Sequence, residues 1–128
     1  MNLANASIAQ VMIPVVAFDR AVLFYRDVLG LPFLFAAPPQ MAFFQCGSVR
    51  LLVGVMPAGN GGGRGSGVYF RVDDIDGVHA TLRDSGVKFA AGPHVVHRTS
   101  QSVLWLAEFN DPDGNPLALM SEVPVAAA

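Results

Sequence analysis

VAFDRAVLFYRDVLGLPF, Val16–Phe33, returns in outline as VDDIDGVHATLRDSGVKF, Val72–Phe89, 56 residues further along the chain. Val16 matches Val72, Val22 matches Val78, Gly30 matches Gly86 and Phe33 matches Phe89, four identities in 18 positions, with Leu31 and Val87 alike. In the first copy Val22, Tyr25 and Leu29 fall at i, i+3 and i+7. That spacing predicts one buried stripe on a helix opened by Phe18-Asp19-Arg20 and running to about Leu29, with Asp19 as N-cap and Gly30 as the residue that stops it. In the second copy Ile75, Val78 and Leu82 repeat the stripe over about Ile75–Ser85, between the capping pair Asp73-Asp74 and a stop at Gly86. A duplicated supersecondary unit explains stripes and stops together.

Strands flank both helices. Ile8–Ala17 precedes the first. Leu31–Ala36, Met41–Cys46 and Val49–Met56 come after it, with a break at Pro38-Pro39 and a tight joint at Gly47-Ser48. The order is β-α-β-β-β. Val68–Val72 opens the second copy. Val87–Ala90, Val103–Phe109 and Leu117–Ser121 come after its helix, the last two joined through Asp111-Pro112-Asp113-Gly114-Asn115. The second copy is longer by about 11 residues, assigned to Gly92–Ser102. Glycine-rich residues 58–65 read as a flexible linker. The expected fold is α+β, a single domain over 1–128 made of two βαβββ modules, 8–57 and 66–122. One helix covers only one face of a small sheet. The modules are therefore expected to pair as one curved mixed sheet around a cup, helices outside, with a small molecule bound on the concave face.

Composition narrows the function classes. The 128 residues are 52% hydrophobic and 14% charged, with net charge −2, which describes a packed domain and not a disordered chain. The 8 basic residues are scattered, so the electrostatic footprint of a nucleic-acid binder is missing. Apolar runs such as Val11–Phe18 fall short of the ~20 residues that span a bilayer. No signal-peptide pattern is read at the N-terminus. The lone Cys46 excludes an internal disulfide and agrees with a cytoplasmic location.

Phe24-Tyr25-Arg26-Asp27-Val28-Leu29-Gly30-Leu31 resembles the helix-to-strand segment of vicinal oxygen chelate proteins, the superfamily of glyoxalase I, bleomycin-resistance proteins and extradiol dioxygenases. Val72-Asp73-Asp74-Ile75 and Ser85-Gly86-Val87 resemble its second-module equivalent, and Phe109–Asn115 the turn before its last strand. The resemblance runs from about Ile8 to Glu122. It implies the paired-module fold, a homodimer and a small-molecule ligand. It also implies four inward metal-ligand positions in the metal-dependent members, usually His, Glu or Gln. Those positions fall on Gln10, Leu52, Gly67 and Ala118. Only Gln10 has a metal-capable atom, and a divalent site needs several converging N or O ligands. The expectation is therefore no metal and no cofactor.

Counting by twos along the strands puts Gln10, Met12 and Pro14, then Arg50, Leu52 and Gly54, then Gly67, Tyr69 and Arg71, then Pro116, Ala118 and Met120 on the cup side. The expected ligand-binding residues are Gln10, Arg50, Leu52, Tyr69, Arg71, His94, Trp105 and Ala118. An apolar lining with arginines and a phenol at its rims suits an aromatic or apolar ligand with one polar or anionic handle. Trp105 would stack on a planar ligand or serve the core. His94, Glu108 and Tyr69 are the acid–base candidates. His94 and His97, three apart in an extended segment, would point to opposite faces, and Glu108 faces away from Trp105. His79 reads as helix surface and Cys46 as packing. The glycine run lacks the Gly-Lys-Ser/Thr ending of a phosphate loop, and Asp111–Gly114 lacks the ligand set of a calcium loop. The leading function is metal-independent binding of a small molecule. The alternative is a lyase or isomerase, glyoxalase- or epimerase-like, that uses the cup for proton transfer, either without a metal or with one held by two or more of Gln10, His94, His97 and Glu108.

Overall fold

The computed structural model describes residues 1–55 and 67–125; the expected linker, 58–65, lies outside them. The chain divides into two compact units, residues 1–65 and 66–128. Each unit contains one helical segment and one four-stranded mixed sheet, which is the expected α+β two-module architecture. Among the described residues no helix is long and apolar enough to cross a membrane.

In the first unit, β1 (Gln10–Val15), β2 (Phe33–Ala37), β3 (Met41–Cys46) and β4 (Val49–Val55) are ordered β1-β4-β3-β2. β1 lies parallel to β4, and β2-β3 and β3-β4 are antiparallel. Alternation sorts the side chains. Ile13, Val15, Ala42, Phe44, Leu51 and Val53 are buried on one face. The helix packs there, with the Tyr25 ring 6.0 Å from that of Phe44.

That helix differs from the sequence expectation. α1 is Phe18–Leu23, and a π-helical turn, Phe24–Val28, continues it. Leu29 N–H bonds the Phe24 carbonyl at 2.9 Å, five residues back. The buried residues are Ala21, Phe24 and Tyr25, so of the stripe Val22, Tyr25, Leu29 only Tyr25 is buried; the wider turn rotates Leu29, which follows it, about the helix axis. Asp19 is not the N-cap. Ala17 holds that position without a side-chain bond, and Asp19 sits in the first turn, where a carboxylate is favoured by the helix dipole.

In the second unit, β5 (Val68–Arg71), β6 (His94–Arg98), β7 (Ser102–Asn110) and β8 (Pro116–Pro124) are ordered β5-β8-β7-β6, with β5 parallel to β8. α2 (Ile75–Asp84) keeps closely to the expected pattern. The Asp74 side chain accepts from Gly77 N–H at 3.0 Å as N-cap. At the other end Val87 N–H bonds the Leu82 carbonyl and Gly86 N–H bonds that of Arg83, both at 3.0 Å. This is a Schellman stop, with Leu82 and Val87 both buried beside it.

The expected strand Val87–Ala90 is not formed. It shrinks to a single bridge, Phe89 to Phe109. The pairing strand is β6, inside the segment read as extra, because Gly92-Pro93 interrupts the ladder and the chain re-enters it at His94. His79 also departs from its reading as plain helix surface: it is half-buried, its ring against Phe89 at 4.4 Å.

Gly86 has φ +100, and a methyl group added to its Cα would meet nothing within 4 Å, so only backbone strain opposes a side chain there. Gly86→Ala is expected to lower stability by about 1–2 kcal/mol. Urea denaturation should show a lower midpoint at unchanged slope.

Candidate functional site

The helix-free face of the first unit is a grid set by register. Gln10 lies opposite Arg50, Met12 opposite Leu52 and Pro14 opposite Gly54 on β1 and β4. On β3, Gln45 faces Arg50, Phe43 faces Leu52 and Met41 faces Gly54. A bulge in β2 then places Phe35 beside Phe43. The two rings stack at 4.4 Å and 23°. The Arg50 guanidinium lies 5.5 Å from the Phe43 centroid, and its Nε donates to Gln10 Oε1 at 3.1 Å. A planar cation held by an aromatic face and an amide is a site for a planar anion. Gln10 and Arg50 meet across β1 and β4. Phe43 and Phe35 were missed, although the parity of Met41–Cys46 already puts Phe43 with Met41 and Gln45.

The second unit has its own grid. Tyr69 lies opposite Ala118, and Ala118 opposite Glu108. Arg71 lies opposite Met120, Met120 opposite Leu106 and Leu106 opposite His94. A concavity of about 480 Å³ opens over the first row, lined by Gly67, Tyr69, Lys88, Glu108, Asn110 and Ala118 among others. Ala118 is 2% exposed and Tyr69 56%, so the methyl forms a floor and the phenol a rim.

His94 Nε2 and Glu108 Oε1 are 3.2 Å apart. His94 Nδ1 is 3.0 Å from the Gly92 carbonyl. A carbonyl only accepts, so Nδ1 carries a proton and Nε2 is the nitrogen turned to the carboxylate. A hydrogen bond there requires one more proton, shared by the pair. Glu108 is exposed on the helix-free face and borders the concavity. His97 also departs from the strand-parity expectation. A bulge between Val95 and His97 puts His94 opposite Leu106 and His97 opposite Leu104, so both histidines align with one face.

Trp105 lies elsewhere. It pairs with Ser121 and Val95, in the parity of the buried Ala107 and Phe109, on the face that carries the helix. Arg71 reaches Glu122 at 3.4 Å with its side chain 70% exposed, a surface pair of small energetic weight.

The metal positions of the resemblance do not fit a metal. Leu52, Gly67 and Ala118 offer no ligand atom. The one oxygen available, Gln10 Oε1, is engaged by a guanidinium whose charge repels a cation. No group of three His, Cys, Asp or Glu side chains able to hold an ion occurs among the described residues.

Comparison with known proteins agrees with the fold. Residues 7–119 match the Glyoxalase/Bleomycin resistance protein/Dioxygenase superfamily, and the chain belongs to that family. A lactoylglutathione lyase structure from Agrobacterium tumefaciens is 25% identical, with a TM-score of 0.71 over 92% of this chain and 95% of that one. A superfamily member from Sphaerobacter thermophilus is 22% identical, with a TM-score of 0.74 over 91% and 97%. A protein from the mobile metagenome of V. Pseudocholerae is 18% identical, with a TM-score of 0.76 over 94% and 98%. Among curated proteins no sequence matches.

Cys46 is half-buried, and burial pushes its thiol up. The thiolate is the nucleophile, so a raised pKa leaves less of it at neutral pH. Iodoacetamide at pH 7 is expected to alkylate the folded protein more slowly than the urea-unfolded chain, a comparison that intact mass spectrometry against time makes directly.

Proposed function

We propose that the protein binds a small planar molecule with an anionic handle, without a metal. The observation that carries this reading is the placement of Arg50. It occupies the only metal-capable atom of the four family positions, Gln10 Oε1, and lies over Phe43, which stacks on Phe35. A guanidinium meets a carboxylate with two parallel N–H donors, and the two rings offer an apolar plane beside it. The oxygen that would have met a cation is engaged by a group that attracts an anion.

Aromatic carboxylates such as benzoate and naphthoate are expected to raise the melting temperature, while the matching neutral amides do so less. Charge-assisted hydrogen bonds contribute about 1.5–3 kcal/mol, so Arg50→Ala should weaken binding roughly tenfold to a hundredfold by titration calorimetry. EDTA should leave the affinity unchanged. Stoichiometric nickel, zinc, iron or manganese in protein purified without chelators, with affinity lost on its removal, would show the metal-free reading to be wrong.

The contact of His94 with Glu108 favours a second reading, a lyase or isomerase in which this pair moves a proton. The Agrobacterium protein of similar fold is named a lyase. Turnover of a bound compound that disappears in Glu108→Gln would favour this reading over simple binding. Recovery of the compound unchanged would favour binding.

A further inference from the structure

We propose that Gln45 makes the Arg50 site selective for 2-hydroxy carboxylates, acids with a hydroxyl on the carbon next to the carboxyl group. The inference rests on the reading of Arg50 as an anion receptor and adds the class of acid that the same site prefers.

Three polar side chains form one row across the first sheet. Gln10 on β1 lies opposite Arg50 on β4, and Arg50 lies opposite Gln45 on β3. Arg50 N–H bonds the Ala9 carbonyl and Gln45 N–H bonds that of Pro32, both at 2.9 Å. Each amide points away from the other's strand, so Arg50 and Gln45 form a non-hydrogen-bonded pair. In such pairs the Cα atoms approach to about 4.5 Å and the side chains lie closest.

The hydrogen bonds of the row fix which way each amide group faces. A guanidinium only donates, so the atom of Gln10 that meets Arg50 Nε at 3.1 Å is the oxygen. A carbonyl only accepts, so the atom of Gln45 that meets the Gly47 carbonyl at 2.7 Å is the nitrogen. What remains is the amide nitrogen of Gln10, the two terminal nitrogens of Arg50 and Oε1 of Gln45. None of these bonds another side chain or carbonyl of the described residues. The row thus offers donors at Gln10 and Arg50 and an acceptor at Gln45.

A carboxylate alone uses the donors and leaves Gln45 Oε1 to water. A hydroxyl on the adjacent carbon gives that oxygen a proton to accept. An ammonium there would do the same, but it would set a second positive charge beside the guanidinium. The apolar row of Met12, Leu52 and Phe43 lies two residues further along the strands, roughly 7 Å away. An aromatic ring a few bonds from the carboxyl group reaches it.

Calorimetric titration with 3-phenylpropionate, 3-phenyllactate and 2-methoxy-3-phenylpropionate tests this. Phenyllactate is expected to bind about two- to tenfold more tightly than phenylpropionate, the weight of one neutral hydrogen bond. The methoxy acid keeps the oxygen and lacks the proton, so it should show no such gain. In Gln45→Leu the preference for phenyllactate should disappear. The three acids on the unaltered protein give a result whatever the stability of that variant. Equal affinity for phenyllactate and phenylpropionate, a gain kept by the methoxy acid, or a preference kept in Gln45→Leu would overturn the proposal and leave the Arg50 reading standing. Failure of all three acids to bind would overturn the Arg50 reading and this inference with it.

Discussion

A four-stranded sheet with one helix beside it can bury only one of its two faces. In each unit this asymmetry decides the role of nearly every strand residue. Ile13, Leu51, Val53, Ala42 and Phe44 pack under the first helical segment; Leu117, Leu119, Ala107 and Phe109 lie on the corresponding face of the second sheet. Because side chains alternate along a strand, their neighbours are committed to the other face. Gln10, Arg50 and Phe43, and Tyr69, Ala118 and Glu108, meet because the core residues between them are fixed. The chemistry of both faces depends on that packing, and a one-residue slip in register would send arginine and glutamate into the core.

The same asymmetry separates the features legible in the chain from those that were not. The paired helices, the stops at Gly30 and Gly86 and the parity of the strands rest on local rules, and local rules are visible in sequence. The partition of Trp105 and Glu108 to opposite faces came from parity alone. The π-helical turn was not visible, since nothing in Phe24–Val28 distinguishes a five-residue step from a four-residue one. The repeat itself misled at Val87–Ala90, where the matching residues carry one bridge and the strand comes later. The bulge at Val95–His97 reversed the expected relation of the two histidines. The meeting of His94 with Glu108 depends on that bulge and on the β6-β7 register together, neither of which composition encodes.

The substitution of chemistry at the family's metal positions is of one kind in the first unit and another in the second. In the first, a cation of the protein's own, Arg50, sits where a metal's oxygen ligand would be free. In the second, glycine and alanine simply vacate the space. Under the proposed reading the first change would receive an anion directionally, because guanidinium donors lie in a plane. The other makes room. A shared fold thus supports two local solutions within one chain, which is why fold membership by itself assigns no activity.

The parallel strand pairs also bear on how the chain reaches its native state. Gln10 bonds Arg50 across 40 residues and Arg71 reaches Glu122 across 51, whereas β3-β4 and β7-β8 are joined by short turns. Contacts that close long loops come late, since their chain entropy must be lost before they contribute. The hairpins close short loops and the pairings of β1 and β5 close long ones. Gln10 comes from β1 and Arg50 from the hairpin that β1 meets, so their contact exists only once a loop of 40 residues has closed.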